Sequence, residues 1–211
     1  LNVPSASKWI NGELSVKQIR QVKIEDLLGR EPIQLSTKKI RNQLHNKVIL
    51  ITGAAGSIGS EIVRQVIQYT PKKVLLVDQA ESALYELELE LNAQKTGSCI
   101  EVIIGDVSNK SRMEKVFATF KPQIVYHAAA YKHVPLMENN PCEAIQTNIW
   151  GSKIMADLAN QYGAEAFVMV STDKAVNPTN VMGASKRIAE IYTQSLNKHS
   201  KTKYITTRFG N

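Results

Sequence analysis

Three glycines, Gly53, Gly56 and Gly59, follow the apolar run Val48–Thr52 and open an amphipathic stretch that begins at Ser57. Glycine at this spacing permits a tight strand-to-helix turn and lets the backbone approach a pyrophosphate. It also lets the helix pack closely on the strand before it. Ala55, Ser57 and Ile58 share that approach as the remaining loop and first-turn residues. Asp78 lies 19 residues beyond Gly59, at the end of the next apolar run. There a carboxylate can accept hydrogen bonds from both ribose hydroxyls of an adenosine and repel a 2′-phosphate. It can equally cap the helix that follows. Asp106, with Val107 beside it, ends the third run, where it can reach an adenine or cap the next helix. Together these residues point to a nicotinamide dinucleotide, NAD in preference to NADP.

A second constellation is Ser171-Thr172-Asp173-Lys174, directly after the fifth apolar run. In an open α/β sheet that strand end faces the ligand crevice, so a carboxylate and an amine on adjacent residues offer an acid and a base over one substrate. The acid role needs a raised pKa and the base role a lowered one, which desolvation by a bound substrate can supply. Away from such a crevice, Asp-Lys is an exposed turn with a local ion pair. Met182 and Lys186 are four residues apart and share one helix face. Met182 cannot exchange a proton, and it suits a packed core. Lys132, after the fourth run, can meet a substrate pyrophosphate or sugar, whereas His127 and His133 read as packing or surface histidines. No His/Cys/Asp/Glu cluster has metal-ligand spacing, and no Gly-x-Ser-x-Gly elbow occurs, so no metal is expected.

The elements that must position these residues form a regular alternation. Apolar, Val- and Ile-rich runs at 48–52, 74–78, 100–105, 124–128, 167–171 and 204–209 predict strands buried on both faces. Helical spacing lies between them at 57–69, 80–94, 111–120, 141–162 and 179–199; in the second, Leu84, Leu87 and Leu91 make one apolar stripe. The alternation predicts an α/β fold, a doubly wound parallel sheet with helices on both faces, over residues 48–211. Residues 1–47 lack this rhythm and are read as a basic arm or linker, with a short helix at 16–28 stopped by Gly29-Arg30-Glu31-Pro32.

Composition narrows the function classes. At 43% hydrophobic and 21% charged side chains, the 211 residues are neither disordered nor low in complexity, and no run approaches the ~18 apolar residues of a membrane span. The net charge of +7 is concentrated in residues 1–47, which hold nine Lys and Arg against four acids. These bases are spaced singly around one aromatic residue, Trp9, a solvated surface and not a nucleic-acid face. A juxtamembrane or partner-binding arm is the other reading. Two cysteines and the lack of a secretory h-region in this sequence are read as a reducing compartment, with a cytoplasmic location expected. Starting at Leu1 and stopping at Asn211 directly after a strand-like run, the sequence is read as a fragment.

The spacing Thr-Gly-x-x-Gly-x-x-Gly over residues 52–59 resembles the extended short-chain dehydrogenase/reductase family. The resemblance continues through His127-Ala-Ala-Ala130 and Thr147-Asn148. It narrows at Tyr131-Lys-His-Val-Pro135, Ser171-Thr-Asp-Lys174, Asn177-Pro-Thr-Asn180 and Arg208-Phe-Gly-Asn211 to the bacterial CapD-like UDP-N-acetylglucosamine 4,6-dehydratases of polysaccharide biosynthesis. It covers essentially residues 48–211, and Ile24-Glu-Asp-Leu-Leu-Gly-Arg30 is similar to the segment joining an upstream membrane region to such catalytic domains. The resemblance implies a Rossmann-like domain, tightly held NAD, a UDP-sugar substrate and a homo-oligomer without nucleic-acid partners. It further implies a missing C-terminal substrate-binding portion, and membrane attachment only through a missing upstream region. By the same resemblance Ala128, Ala129 and Ala130 line the nicotinamide side, Lys186 grips the nicotinamide ribose, and Asn211 belongs to the substrate site. Asp173 would protonate the departing C6 hydroxyl, Lys174 would take the C5 proton, and Thr172 would hydrogen-bond the 4-hydroxyl. Met182 stands where the wider family has a proton-exchanging Tyr, which speaks against simple alcohol oxidation by a tyrosinate. A nucleotide-sugar 4-epimerase and a non-catalytic NAD-binding regulatory domain are the alternatives.

Overall fold

The computed structural model describes residues 36–93 and 99–210. Six strands alternate with helices: α1 (Thr37–Leu44), β1 (Val48–Thr52), α2 (Ser57–Ile67), β2 (Lys73–Asp78), α3 (Glu81–Ala93), β3 (Ile100–Ile104), α4 (Lys110–Phe120) and β4 (Ile124–His127). The second half continues with α5 (Val134–Asn139), α6 (Pro141–Ala144), a π-helical turn (Ile145–Gly151), α7 (Ser152–Gln161), β5 (Ala166–Thr172), a 3₁₀ turn (Asp173–Ala175), α8 (Val181–Ser195) and β6 (Lys203–Phe209). Every strand pairing is parallel, in the order β3-β2-β1-β4-β5-β6. This is the Rossmann-like α/β sheet that the alternation predicts, and its strand ends agree with the apolar runs to within about a residue.

Both faces of the sheet are covered, and the period of two along each strand shows how. On β1, Leu50 packs with Leu75, Val77, Val125 and Phe167 beneath α4 and α7, whereas Ile49 and Ile51 turn to the opposite face. There they meet Val63 and Val66 of α2, Leu44 of α1, and the predicted stripe Leu84, Leu87 and Leu91 of α3. The outer strands are less covered, with Ile104 on β3 and Phe209 on β6 about half exposed.

Three departures from the sequence reading matter. The stretch 141–162 is not one helix but α6, a π-helical turn and α7. The π turn buries Thr147, Asn148 and Gly151, and a side chain on Gly151 would meet Val107 at 2.7 Å. α5 is an additional six-residue helix begun at Val134-Pro135, too short to carry a readable period. α1 lies within the segment read as an arm, and its Leu44 is buried in the core. The expected helix at 16–28 and the site residue Asn211 lie outside the described residues. No helix among the described residues is long and apolar enough to cross a membrane.

Because β1 is flanked by β2 on one side and β4 on the other, successive connections leave it in opposite directions. That reversal opens a crevice at the carboxyl ends of β1 and β4.

Candidate active site

The crevice is a cleft of about 800 Å³, toward the upper end of the roughly 300–1,000 Å³ usual for small-molecule sites. Its floor is the turn between β1 and α2. Gly53 has φ +65°, and a Cβ there would lie 2.6 Å from the Ala129 backbone nitrogen. A Cβ on Gly59 would fall 1.9 Å from the Gly53 carbonyl oxygen, so α2 touches the turn backbone to backbone. The N-cap of α2, Gly56, offers no side chain to the first-turn N–H groups, and no acidic residue sits in that turn. Those donors and the positive end of the helix are left for an anion at Ser57 and Ile58. The space that side chains on Gly53 or Gly59 would need is taken by neighbouring backbone, so the two glycines keep the turn compact.

Asp78 and Asp106 stand at the neighbouring strand ends. The Ala55 N–H donates to Asp78 Oδ2 and the Ala80 N–H to Oδ1, both at 3.0 Å. Asp78 therefore fixes the glycine loop and the turn into α3 together while still bordering the cleft. Asp106 accepts from the Ser108 N–H at 2.8 Å, and the cap of α4 falls to Asn109, which accepts from the Arg112 N–H at 3.0 Å. Capping does not occupy Asp106. Val107, Ala55, Ala128, Ala129, Ala130, Lys132 and Lys186 also line the cleft, with Gly53, Gly56 and Gly59.

At the other end, β5 stops at Thr172 and the chain turns through Asp173–Ala175. The Thr172 hydroxyl donates to Asp173 Oδ1 at 2.9 Å. The Lys174 N–H donates to the same oxygen at 2.8 Å, and Lys174 Nζ lies 3.4 Å away. Thr172 and Lys174 line the cleft; Asp173 sits beside it, its side chain about half exposed. The Thr172 hydroxyl, and after it the Lys174 side chain and backbone, hold the Asp173 carboxyl below its usual range. That is opposite to the direction an acid catalyst needs, so an upward shift requires a bound substrate to displace water. Gly183 of α8 presses on this turn, since a Cβ there would lie 2.3 Å from the Lys174 carbonyl oxygen. Asn180 caps α8, accepting from the Gly183 N–H at 2.8 Å.

Met182 and Lys186 share the inner face of α8, and both are buried. Met182 packs with Met137 and Ala144, against Tyr131, Val134 and Val181, so it is a core residue that also borders the cleft. Burial pushes the Lys186 amine down to about 8, with the Glu190 carboxylate pulling the other way. Glu190 is itself fully buried. It takes two hydrogen bonds from Arg208 of β6, at 2.9 and 2.6 Å, and one from Arg187 at 3.1 Å. Burial acts to raise its carboxyl, but the Arg208 and Arg187 guanidinium groups prevail and lower it. His127 is pushed down to about 3 by burial and then by the Lys186 charge. It shares hydrogen bonds with the hydroxyls of Thr52 and Ser152, each at 2.8 Å, which is the packing role expected of it.

Several cleft residues were not singled out in the sequence. Val77, Val170 and Gln79 reach it because they adjoin strand ends, a position knowable only once the sheet order is known. The Glu190–Arg208 pair did leave a signal: an acid four residues after Lys186, flanked by Ala189 and Ile191. Among the described residues, no group of three His, Cys, Asp or Glu is placed to hold a metal ion.

Comparison with known proteins agrees with this geometry. The chain is 51% identical over 212 residues to the capsular polysaccharide biosynthesis protein CapD of Staphylococcus aureus, covering 99% of this chain and 35% of that protein. It is 34% identical over 171 residues to the UDP-N-acetylglucosamine 4,6-dehydratase (inverting) of Campylobacter jejuni serotype O:2, covering 79% of this chain and 49% of that one. Among solved structures, Pen from Bacillus thuringiensis superposes with a TM-score of 0.74 at 33% identity, over 80% of this chain and 53% of that chain. The chain thus spans between about a third and a half of the length of these relatives. The family described as polysaccharide biosynthesis protein matches residues 49–211, which include all of the parallel sheet but Val48 and both ends of the cleft, and the chain belongs to that family.

Proposed function

We propose that the chain is the NAD-binding and catalytic part of a UDP-N-acetylhexosamine 4,6-dehydratase, acting on UDP-N-acetylglucosamine in surface polysaccharide biosynthesis. One observation carries this reading: Thr172 and Lys174, with Asp173 beside them, and the buried Lys186 line the same cleft as the glycine loop. The dehydratase name of the Campylobacter jejuni relative supports it.

NAD would lie with its pyrophosphate at Gly53, Gly56 and Gly59, its adenosine ribose at Asp78 and its nicotinamide ribose at Lys186, and would supply hydride acceptance at C4 and hydride return at C6. The residues of the chain then divide the remaining work. Thr172 orients the 4-hydroxyl. Lys174 takes the proton from C5, whose acidity is raised by the adjacent carbonyl, Asp173 gives a proton to the C6 oxygen as the C6–O bond breaks and water leaves, and Lys174 returns its proton to C5 as C6 regains hydride. Met182 excludes water from the same wall and moves no proton. The 4-hydroxyl proton leaves through Thr172 and a water, or through Lys174, which passes it to water before taking the C5 proton.

The deciding experiment supplies UDP-N-acetylglucosamine to the full-length protein and follows product mass. Loss of one water is the expected result. A product of unchanged mass would make the enzyme a 4-epimerase, and bound NAD without any product would make the domain a non-catalytic binder.

A further inference from the structure

Glu190 is fully buried on α8, one turn beyond Lys186, and the cations around it are not equivalent. Arg208 of β6 donates to its carboxylate at 2.9 and 2.6 Å, and Arg187 donates at 3.1 Å. Both arginines also reach water, with side chains 42% exposed for Arg187 and 38% for Arg208. Lys186 does not. It is 4% exposed, and its ammonium makes no hydrogen bond or close ion pair with any described residue. A guanidinium with water on one side can do without a buried partner. A buried ammonium cannot, because loss of its countercharge leaves it uncompensated or deprotonated.

The other titratable groups on the elements packed around α8 are engaged elsewhere. Glu138 of α5 accepts from the Val181 N–H at 2.7 Å, and Asp173 and Lys174 pair with each other on the turn after β5. Lys153 and Asp157 of α7 pair with each other, and Asp157 also accepts from the Tyr192 hydroxyl. Glu143, Lys198 and Lys203 are exposed. His127 of β4, pushed down to about 3, is neutral and supplies no countercharge. Glu190 is left as the carboxylate that opposes the effect of burial on Lys186. Arg208 fixes that carboxylate to the sheet: it lies opposite Ser171 in the register of β5 with β6, and Phe209 beside it lies opposite Thr172 and lines the cleft.

We propose that Glu190 is a positioning residue for Lys186: it is the countercharge that holds the ammonium at the cleft wall, with Arg208 as its anchor on β6. The proposal rests on the reading given above, in which Lys186 meets the nicotinamide ribose. An ammonium donates through three N–H bonds and makes charge-assisted hydrogen bonds, which a neutral amine does not. A mere staple between α8 and β6 would work equally well as a neutral hydrogen-bonded pair, and that difference can be measured.

Urea melts of the NAD-free full-length protein between about pH 6 and about pH 10.5 report the charge on Lys186 without reference to any ligand. Stability rises with pH from the point where the folded chain releases the Lys186 proton, at about 8, and Lys186→Met, which lacks that rise, identifies it. In Glu190→Gln the onset is expected to fall by roughly one pH unit or more. Because that variant also strips two arginines of their partner, Glu190→Gln/Arg208→Gln replaces the ion pair by a neutral one; it is expected to fold with the same lowered onset. NAD titrations over the same range should then show near-wild-type affinity at about pH 6 and a loss of about fivefold at about pH 8, where the charged fraction has fallen. Adding Glu190→Gln to Lys186→Met should cost nothing further in NAD affinity. A wild-type onset in the double variant makes Glu190–Arg208 a staple only and overturns the proposal. A lowered onset with unchanged NAD affinity keeps Glu190 as the countercharge and instead removes Lys186 from the cofactor, which is the failure of the reading beneath.

Discussion

The two ends of the cleft are built from different materials. The cofactor end is backbone: a glycine at φ +65°, a second glycine with no room for a Cβ, and a helix terminus without a side-chain cap. Nothing in that loop must ionise, and its shape is set by covalent geometry and close packing. The end proposed as catalytic is side chain: Thr172 closing β5, with Asp173 and Lys174 on the three-residue turn after it, held by bonds among themselves and half open to water. There Asp173 is pulled toward its charged form, the wrong direction for an acid. A preformed loop thus adjoins a carboxyl that, on the proposed function, becomes an acid only when a bound sugar displaces water. Lys186 lies between these regimes, with burial already holding its amine near 8.

That contrast can be broken most sharply at Gly59. Gly59→Ala places a methyl 1.9 Å from the Gly53 oxygen, and neither backbone can yield without moving β1 or α2. The expected result is loss of NAD binding and destabilisation of about 1–3 kcal/mol or more, seen by thermal melting and NAD titration. Gly56→Ala, whose Cβ would sit 3.2 Å from the same oxygen, should be far milder. If both variants melt and bind alike, the cofactor end is not the rigid element described.

Next come the two residues at the other end. Asp173→Asn and Lys174→Ala should each lower product formation by roughly 10²–10⁴-fold, the usual contribution of a general acid or base. Their melting and NAD affinity should stay near wild type, because both side chains are substantially exposed. Near-normal turnover of Asp173→Asn would remove it from the mechanism.

Lys186 allows a test in which stability and binding move in opposite directions. Its ordinary value is 10.5 and its value in the fold is about 8. Between those limits the unfolded chain holds a proton that the folded chain has released, so this group makes stability rise with pH across that window. Below about pH 8 the buried charge weighs against the fold by up to about 3 kcal/mol. Lys186→Met should therefore stabilise the NAD-free protein at pH 7 by about 1–3 kcal/mol and flatten the rise between pH 8 and 10.5, while weakening NAD binding. Urea melts of variant and wild type at about pH 7 and about pH 10 check the sign, and a variant less stable at the lower pH contradicts it.

A smaller change is expected at Asp78. Asp78→Asn keeps an acceptor for the Ala55 N–H and removes the negative charge that would face a 2′-phosphate. It should narrow the preference for NAD over NADP by about tenfold, the effect of one modest electrostatic interaction. Paired titrations of the two dinucleotides measure it, and an unmodified protein that already prefers NADP would overturn the role given to Asp78.

Much of the cofactor end was legible in the sequence because its determinants are local. Gly53, Gly56 and Gly59 lie within seven residues, and the strands before and after them are near-continuous apolar runs. The catalytic end was legible as a triplet but not as a geometry. Nothing in Thr172-Asp173-Lys174 reveals that the Thr172 hydroxyl would turn onto Asp173 and hold it charged. The π turn at Ile145–Gly151 escaped notice because one extra residue in a turn barely alters an apolar period. Glu190 and Arg208 are 18 residues apart and meet only because α8 packs on β6. The contact of Lys132 with Ser57 depends likewise on the path of its loop.

The smallest effect is expected at Met182, where the wider resemblance would place a proton-exchanging tyrosine. The side chain is 3% exposed and fills a small cluster with Met137 and Ala144. Leucine has nearly the same volume, and such exchanges usually cost less than about 1.5 kcal/mol. Met182→Leu should thus keep the wall of the cleft dry and retain turnover within about threefold, with a small fall in melting temperature. Met182→Tyr is the sharper companion, since it inserts a larger ring and a hydroxyl where Tyr131, Val134 and Val181 already close the space. If Met182→Leu abolished product formation in a protein that still folded and bound NAD, the thioether would have to act directly on the substrate. If it does not, the protons of the reaction belong to the exposed turn at β5, and the buried face of α8 contributes Lys186 and dryness.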